Sequence, residues 1–303
     1  MILMPSTPAG WRSWRIRHTV TQEFNPSDRG QTFHLLIRPT GGWRSLDLRE
    51  VWRYRGLLGA MTRRDITLRY RQTALGVIWV VLQPLLAAGI FTFVFGSIAK
   101  FSSDGVPYVI FAYTGLLGYN AFSNSLASMS TCLVANGALV SKVYFPRLIL
   151  PLSQIGSKLV DFGVAFALYL ILNVTFHVGF HLSLLTLPAW MLLAYGSALG
   201  LGLLTSALNV SYRDVGFIVP VALPLLLYLA PVAYGTQVVP KRLRGAYGIN
   251  PLVGIINGFR WCLLGRGSLS AGSTIYAAVF TVVVVVLGVL YFRSHERRFP
   301  DVI

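Results

Sequence analysis

RRDITLRYRQTALGVIWVVLQPLL, residues 63–86, drives four arginines straight into an apolar run that carries a Gln-Pro pair eight residues in. Arginines set against the start of an apolar segment orient a membrane span, because the cation-rich flank stays in the cytosol. Gln83 and Pro84 then fall in the cytoplasmic half of that span. Proline there deletes a backbone hydrogen bond and kinks the helix.

The composition around this stretch agrees with it. Of 303 residues, 54% are hydrophobic and 12% charged, and the mean hydropathy is +0.62; a soluble domain carries about a quarter charged residues. A net charge of +16 would suit a nucleic-acid binder. Its placement argues otherwise, since thirteen of the 26 Lys and Arg precede residue 75 and most others flank apolar runs. No nucleic-acid partner is expected. Cys132 and Cys262 lie far apart and in no metal-ligand spacing, so neither a disulfide framework nor a zinc site is indicated. MILM is too short for the apolar core of a cleavable signal peptide, and none is expected.

A span needs about 20 mostly apolar residues. Six stretches qualify, at roughly 75–99, 108–133, 148–176, 186–208, 216–235 and 274–292. Thirteen basic residues before the first span and Arg293, Arg297 and Arg298 after the last place both termini in the cytoplasm. Lys142, Arg147 and, near the membrane boundary, Lys158 after the second span, and Arg213 in the fourth loop, follow the same rule. Residues 236–273 are expected outside although they contain Lys241, Arg242, Arg244, Arg260 and Arg266. INPLVGIINGFRWCLLG (249–265) is too short and too interrupted for a seventh span, which would also expel RSHERR (293–298). A re-entrant or interfacial pair of short helices preserves parity.

The predicted fold is therefore an all-α integral membrane protein with six transmembrane helices. Its expected parts are a cytoplasmic N-terminal segment (1–45), an amphipathic interfacial helix (46–74), a membrane domain (75–292) and a cytoplasmic tail (293–303). FHLLIRP (33–39) is a candidate short strand in the first part. In the second, Val51, Tyr54, Leu58 and Met61 recur at helical spacing with arginines mostly off that stripe, so its apolar side can lie on the bilayer while cations meet lipid phosphates.

Enzyme chemistry finds little support. The ten acidic residues rarely cluster, and neither D-x-D nor H-E-x-x-H occurs. His177 and His181 are four apart but lack an accompanying carboxylate, so no metal is expected. Gly196 and Gly200 form a G-x-x-x-G suited to close helix packing. Without a G-x-x-x-x-G-K-[ST] loop, the chain has no nucleotide site of its own.

The second span is different. Asn120, Ser123, Asn124, Ser125, Ser128, Ser130 and Thr131 give it a polar stripe, fit either for interhelical hydrogen bonds or for lining a conduit. Tyr108, Phe111, Tyr113, Tyr119 and Phe122 crowd its outer half, as an interfacial aromatic belt or as a surface on which sugar rings stack. In the loop that follows, ANGALVSKVYFPRLILP (135–151), a short helix from about Asn136 to Tyr144 is expected to end near Pro146. With Val143, Tyr144 and Phe145 beside Lys142 and Arg147, it is built to dock on a partner.

The opening stretch with FTFVFG (91–96) resembles the first span of ABC-2 type permeases that export polysaccharides. SKVYFPRLILPL (141–152), NPLVGIINGFRWCLLG (250–265) and the tail FRSHERRFPDVI, with Glu296 and Asp301, are similar to further segments of the same family. The resemblance covers about residues 31–303. It implies a homodimeric permease in the bacterial cytoplasmic (inner) membrane, serving two copies of a separate ATPase subunit on which ATP and Mg would reside. Asn136, Lys142, Val143, Tyr144, Phe145, Pro146 and Arg147 would form the ATPase-coupling element. The implied substrate is a polysaccharide on a polyprenyl diphosphate. Its path would involve Arg63, Arg64, Arg69, Arg71 and Gln83 at the mouth and Tyr108, Phe111, Tyr113, Tyr119, Phe122, Asn120 and Asn124 further in. Contact with membrane lipids accounts for the same arginines. A drug-exporting permease of the same family and a membrane-embedded glycan-processing enzyme are the competing readings.

Overall fold

The computed structural model describes residues 52–71, 78–240, 242, 244–267 and 269–299. The chain divides into two units, Met1–Arg53 and Tyr54–Ile303, and every element below belongs to the second. The strand expected at 33–39, positions 46–51 of the expected interfacial helix, residues 72–77, Lys241 and Asp301 lie outside the described residues.

All described elements are helical. In chain order they are α1 (Arg55–Arg71), α2 (Ile78–Phe91, passing into a π-helical turn at Thr92–Ile98), α3 (Tyr108–Ala135), α4 (Gly137–Lys142) and α5 (Ile149–Thr175). There follow α6 (Leu187–Ser211), α7 (Val215–Leu229), α8 (Arg244–Gly248), α9 (Pro251–Leu264) and α10 (Ala271–His295). A 3-10 turn, Leu182–Thr186, leads into α6, and another, Glu296–Arg298, follows α10.

Among the described residues, four helical stretches are long and apolar enough to cross a membrane: Val81–Ile98, Ile149–Thr175, Leu182–Ser211 and Ala271–His295. The other two stretches read as spans differ from these, each for its own reason. α3 has ample length, 28 residues or about 42 Å, but its hydroxyls and amides dilute its apolarity. α7 has only 15 residues, about 22 Å. It stops because Ala230 precedes Pro231 and is extended at φ −106°, ψ 152°; a residue before proline is pushed out of the helical region.

α3 sits at the centre, packed against α2, α5, α6, α7 and α9. Several of its hydroxyls are satisfied within the helix itself. Thr114, Ser125 and Ser130 bond to carbonyls one turn back in α3 itself. The Asn209 amide of α6 donates to the Ser130 carbonyl at 2.9 Å.

α1 meets α5 through a polar face. Asp65 accepts from the Gln154 amide at 2.7 Å, and Thr62 lies against Gly156. Leu58 and Met61 are half-buried, whereas Leu68 is exposed.

The external helix pair expected at 236–273 corresponds to α8 and α9, and α9 is enclosed by protein. Eleven of its 14 residues are buried, against α3, α6 and α10. It is sharply bounded: the Asn250 side chain caps the first turn by accepting from Leu252 N at 3.0 Å, and Gly265 ends it in the left-handed region at φ 62°.

The predicted G-x-x-x-G packing is the seam between α6 and α10. A Cβ on Gly196 would meet Thr281, one on Gly200 would strike the Val284 backbone, and one on Gly288 would strike the Gly200 carbonyl. Overpacking such a seam costs about 1–3 kcal/mol. Gly200→Leu should therefore lower the melting temperature and the yield of folded chain in detergent, whereas Gly163→Leu, at a position with open space around it, should leave both near wild type.

Candidate functional site

A polar cavity of about 310 Å³ lies between α1, α2, α3, α5 and α6. α1 supplies Arg69 and α2 supplies Trp79 and Gln83, four apart and hence on one helix face. α3 supplies Tyr113, Asn120 and Asn124, α5 supplies Lys158 and Asp161, and α6 supplies Tyr195. Five of the residues singled out from sequence thus converge on one cavity: Arg69, Gln83, Tyr113, Asn120 and Asn124.

Its charged wall is a triad. The Arg69 guanidinium pairs with Asp161, and Lys158 Nζ lies 3.5 Å from the same carboxylate oxygen. These side chains are only 31%, 18% and 12% exposed, so their charges are partly withdrawn from water. The wall is braced by hydroxyls: Tyr195 donates to the Lys158 carbonyl at 3.1 Å and Tyr113 to the Ala165 carbonyl at 2.7 Å. Trp79 is half exposed at the cavity's edge. Two cations, three amides and an indole supply donors and a stacking surface, and the carboxylate accepts from the two cations.

Trp79, Asp161 and Tyr195 were not singled out from sequence, and Lys158 was read only as a cytoplasmic-side charge near the membrane boundary. One signal was available. Lys158 is a basic residue inside an apolar run, three residues from an acid, which is the spacing of neighbours on one helix face.

Arg63 and Arg64 of α1 lie outside the cavity lining. Arg63 is exposed, and Arg71 closes the helix. Arg64 bonds to Asp65 and reaches the Asn136 side-chain oxygen at 2.9 Å. The other aromatics of α3 turn into the protein. The Tyr108 hydroxyl donates to the Ala233 carbonyl and that of Tyr119 to the Leu223 carbonyl. Phe111 lies under the Arg260 guanidinium, 3.8 Å from its ring centroid, and Phe122 is buried.

The loop after α3 has two parts. Its helix, α4, ends at Lys142 because Val143 is extended. Val143 and Tyr144 then project, 50% and 84% exposed, while Phe145 is buried at 5%. Arg147 anchors the far side of the loop: Glu296 accepts from its backbone N–H at 3.0 Å, and its guanidinium donates to the Glu296 carbonyl at 2.9 Å. Asn136 anchors the near side through Arg64. The exposed tip is thus held between α1 and the segment following α10.

Residues 56–264 match the family model of the ABC-2 type transporter. Among curated relatives, the O-antigen export system permease protein RfbA of Klebsiella pneumoniae is 28% identical, over 82% of this chain and 95% of that protein. Its namesake in Myxococcus xanthus is 26% identical over 84% and 98%. The polysialic acid transport protein KpsM of Escherichia coli is 24% identical over 78% and 93%. With more than two thirds of its length matched by that model, the chain belongs to the ABC-2 type transporter family.

Proposed function

We propose that this chain is the permease subunit of an ATP-driven exporter that carries a polysaccharide, linked to a polyprenyl diphosphate, from the cytoplasmic to the outer face of the bacterial inner membrane. The relatives' names support the substrate class, and the lack of a nucleotide-binding loop supports a separate ATPase. Two copies of each subunit would make the exporter. The outward apolar residues of α2 and α7, among them Leu86, Phe93, Phe217 and Val221, are available to lipid or to a second copy.

On this reading the chain crosses six times, with α3 and α7 joining the four more apolar spans. α1, the loop after α3, and the segment following α10 meet through Arg64–Asn136 and Arg147–Glu296. That gathering at one end is what an even number of crossings between α1 and the tail requires, and positive charge assigns that end to the cytosol.

One observation carries the functional reading: α1 touches both the docking loop and the cavity. Arg64 holds Asn136 at the base of the loop, and five residues on Arg69 forms part of the cavity wall. An ATPase that moves Tyr144 and its neighbours would pull on α1 and reshape the mouth lined by Arg69 and Gln83. In this way a subunit without a nucleotide site responds to nucleotide.

Co-expression with candidate ATPases tests the assignment: one should co-purify and gain ATP hydrolysis, and failure of every ATPase encoded in the same cell to pair would contradict it. Tyr144→Ala should abolish that pairing with no loss of folded chain. Phe145→Ala should act through stability, because emptying a buried phenylalanine site costs about 3–5 kcal/mol, and should lower the melting temperature. Glu296→Ala should leave the cavity intact and weaken ATPase stimulation, read as a loss of maximal hydrolysis rate in the co-purified complex.

A further inference from the structure

We infer that an apolar hollow at the outer end of the chain holds one anionic phospholipid. Its acyl chain lies against the hollow's walls, and its phosphate is met by Lys100, Arg242 and Arg244. That this end is the outer one rests on the six-crossing reading proposed above.

The hollow, about 860 Å³, is framed by the π-helical end of α2, the end of α7 and the segment running through α8 to the start of α9. Phe95, Phe101, Leu226, Leu229, Val239 and Ile249 are among its walls. Leu229 and Ile249 are exposed, so it opens at the surface. Its volume is near the top of the range of ligand pockets, about 300 to 1,000 Å³. That is room for a long chain.

The few polar side chains in the wall are already engaged. The Tyr234 hydroxyl donates to the Tyr228 carbonyl at 2.9 Å, and the Tyr247 hydroxyl donates to that of Tyr234 at 3.3 Å. The Asn250 amide donates to the Leu229 carbonyl at 3.2 Å while its oxygen caps α9. Pro240 and Pro251 bring no N–H to the wall. A sugar would find few free partners for its hydroxyls here, whereas hydrocarbon needs none.

Charge around the hollow selects an anion. The outer segments, residues 99–107, 177–186 and 230–273, contain six Lys and Arg but a single acid, Asp104. Spans are oriented by keeping cations in the cytosol, so this excess stands on the wrong side. Two of the six have internal work. Arg260 is buried against the Val232 and Tyr234 carbonyls and the Phe111 ring, and Arg266 donates to the Asp104 and Gly105 carbonyls. Lys100, Arg242 and Arg244 are exposed, and among the described residues they meet no carboxylate. Each adjoins the hollow. Lys100 immediately precedes Phe101, and Arg242 lies two residues beyond Pro240. Arg244 donates from Nε to the Val239 carbonyl at 3.0 Å and from Nη2 to the Gln237 carbonyl at 3.2 Å. Those carbonyls hold the guanidinium at the hollow's rim and leave its charge uncancelled.

A second copy of the chain suits the hollow less well. A two-fold interface sets the same patch of each copy against the other, so three exposed cations would face their own duplicates. A phospholipid brings an apolar chain and a negative phosphate in one molecule. Bound there, it would join the outer end of α2 to that of α7 and to α8.

Native mass spectrometry of the full-length chain counts bound lipids and chain copies in one spectrum. The probes are phosphatidylglycerol and phosphatidylcholine with identical acyl chains. Wild type should retain one phosphatidylglycerol per chain, and phosphatidylcholine about tenfold less, since only the former carries a net charge for the cations. Arg242→Gln/Arg244→Gln should weaken phosphatidylglycerol retention about twentyfold, or about fivefold for each near-surface cation. Arg298→Gln, an exposed arginine beyond α10, should leave retention unchanged. Leu229→Trp narrows the hollow from an exposed position and should lower retention of both lipids. Equal retention of the two lipids by wild type would overturn the inference, as would a loss in Arg298→Gln matching that of the double variant. Full retention by Leu229→Trp would place the lipid elsewhere and overturn it too. A wild-type dimer that retains no lipid and separates in Leu229→Trp would give the hollow to a second copy. None of these outcomes bears on the permease assignment, which stands or falls on ATPase pairing.

Discussion

A long helix bearing hydroxyls and amides along its length cannot be left to face hydrocarbon, and α3 is such a helix. Each unsatisfied polar group in a lipid environment costs several kcal/mol. The chain meets this constraint by surrounding α3 with five other helices and by giving its side chains internal partners. The hydroxyls of Tyr108, Tyr113 and Tyr119 donate to carbonyls of three different segments, at Ala233, Ala165 and Leu223. These contacts fix where α5, α7 and the segment after α7 stand relative to α3. The glycine seam between α6 and α10 then closes the bundle on the other side.

The same helix supplies the polar floor of the cavity. Asn120 and Asn124, one turn apart, point to the side where α1, α2 and α5 bring Arg69, Gln83, Lys158 and Asp161. α1 occupies a special position in this arrangement. It is fastened to α5 by Asp65 and by the Arg69–Asp161 pair, and to the base of the docking loop by Arg64. A rigid helix with polar fastenings can shift by exchanging hydrogen-bond partners, a cheaper change than unpacking an apolar face. That property would suit the proposed lever between a separate ATPase and the cavity.

Much of the fold was legible because lipid imposes a simple rule. α5, α6 and α10 are long, apolar and nearly free of charge, so their extents emerged within a few residues. α3 was found by length and placement, although its composition hides it. The end of α7 was overshot: residues 230–235 remain apolar, and the signal that stops the helix is the single Pro231. The short helix after α3 was expected in the right place but drawn two residues too long at its C-terminal end, since the extended Val143 has no mark in the sequence. Of the residues lining the cavity, Gln83, Tyr113, Asn120 and Asn124 were legible as polar or aromatic residues within apolar runs, and Arg69 as one of the arginines of the helix before the first span. Trp79 and Tyr195 were not, because aromatics are ordinary in spans and only the packing of α2 and α6 on α3 brings them to one cavity. The aromatics of α3 show the limit of pattern reading. Spacing gave their positions on the helix but not which neighbour each would meet, and carbonyls within the protein claimed the tyrosine hydroxyls.

The account turns on α3 crossing the bilayer despite its polarity. Both native cysteines, Cys132 and Cys262, are buried, so single exposed cysteines can be introduced against a quiet background. Ser102→Cys, before α3, and Ser141→Cys, after it, should be labelled from opposite sides by a membrane-impermeant maleimide. The first should react in intact spheroplasts and the second only after permeabilisation. Labelling of both positions from the same side would contradict a crossing α3, and with it the six-span bundle, the cytoplasmic docking loop and the cavity's proposed role.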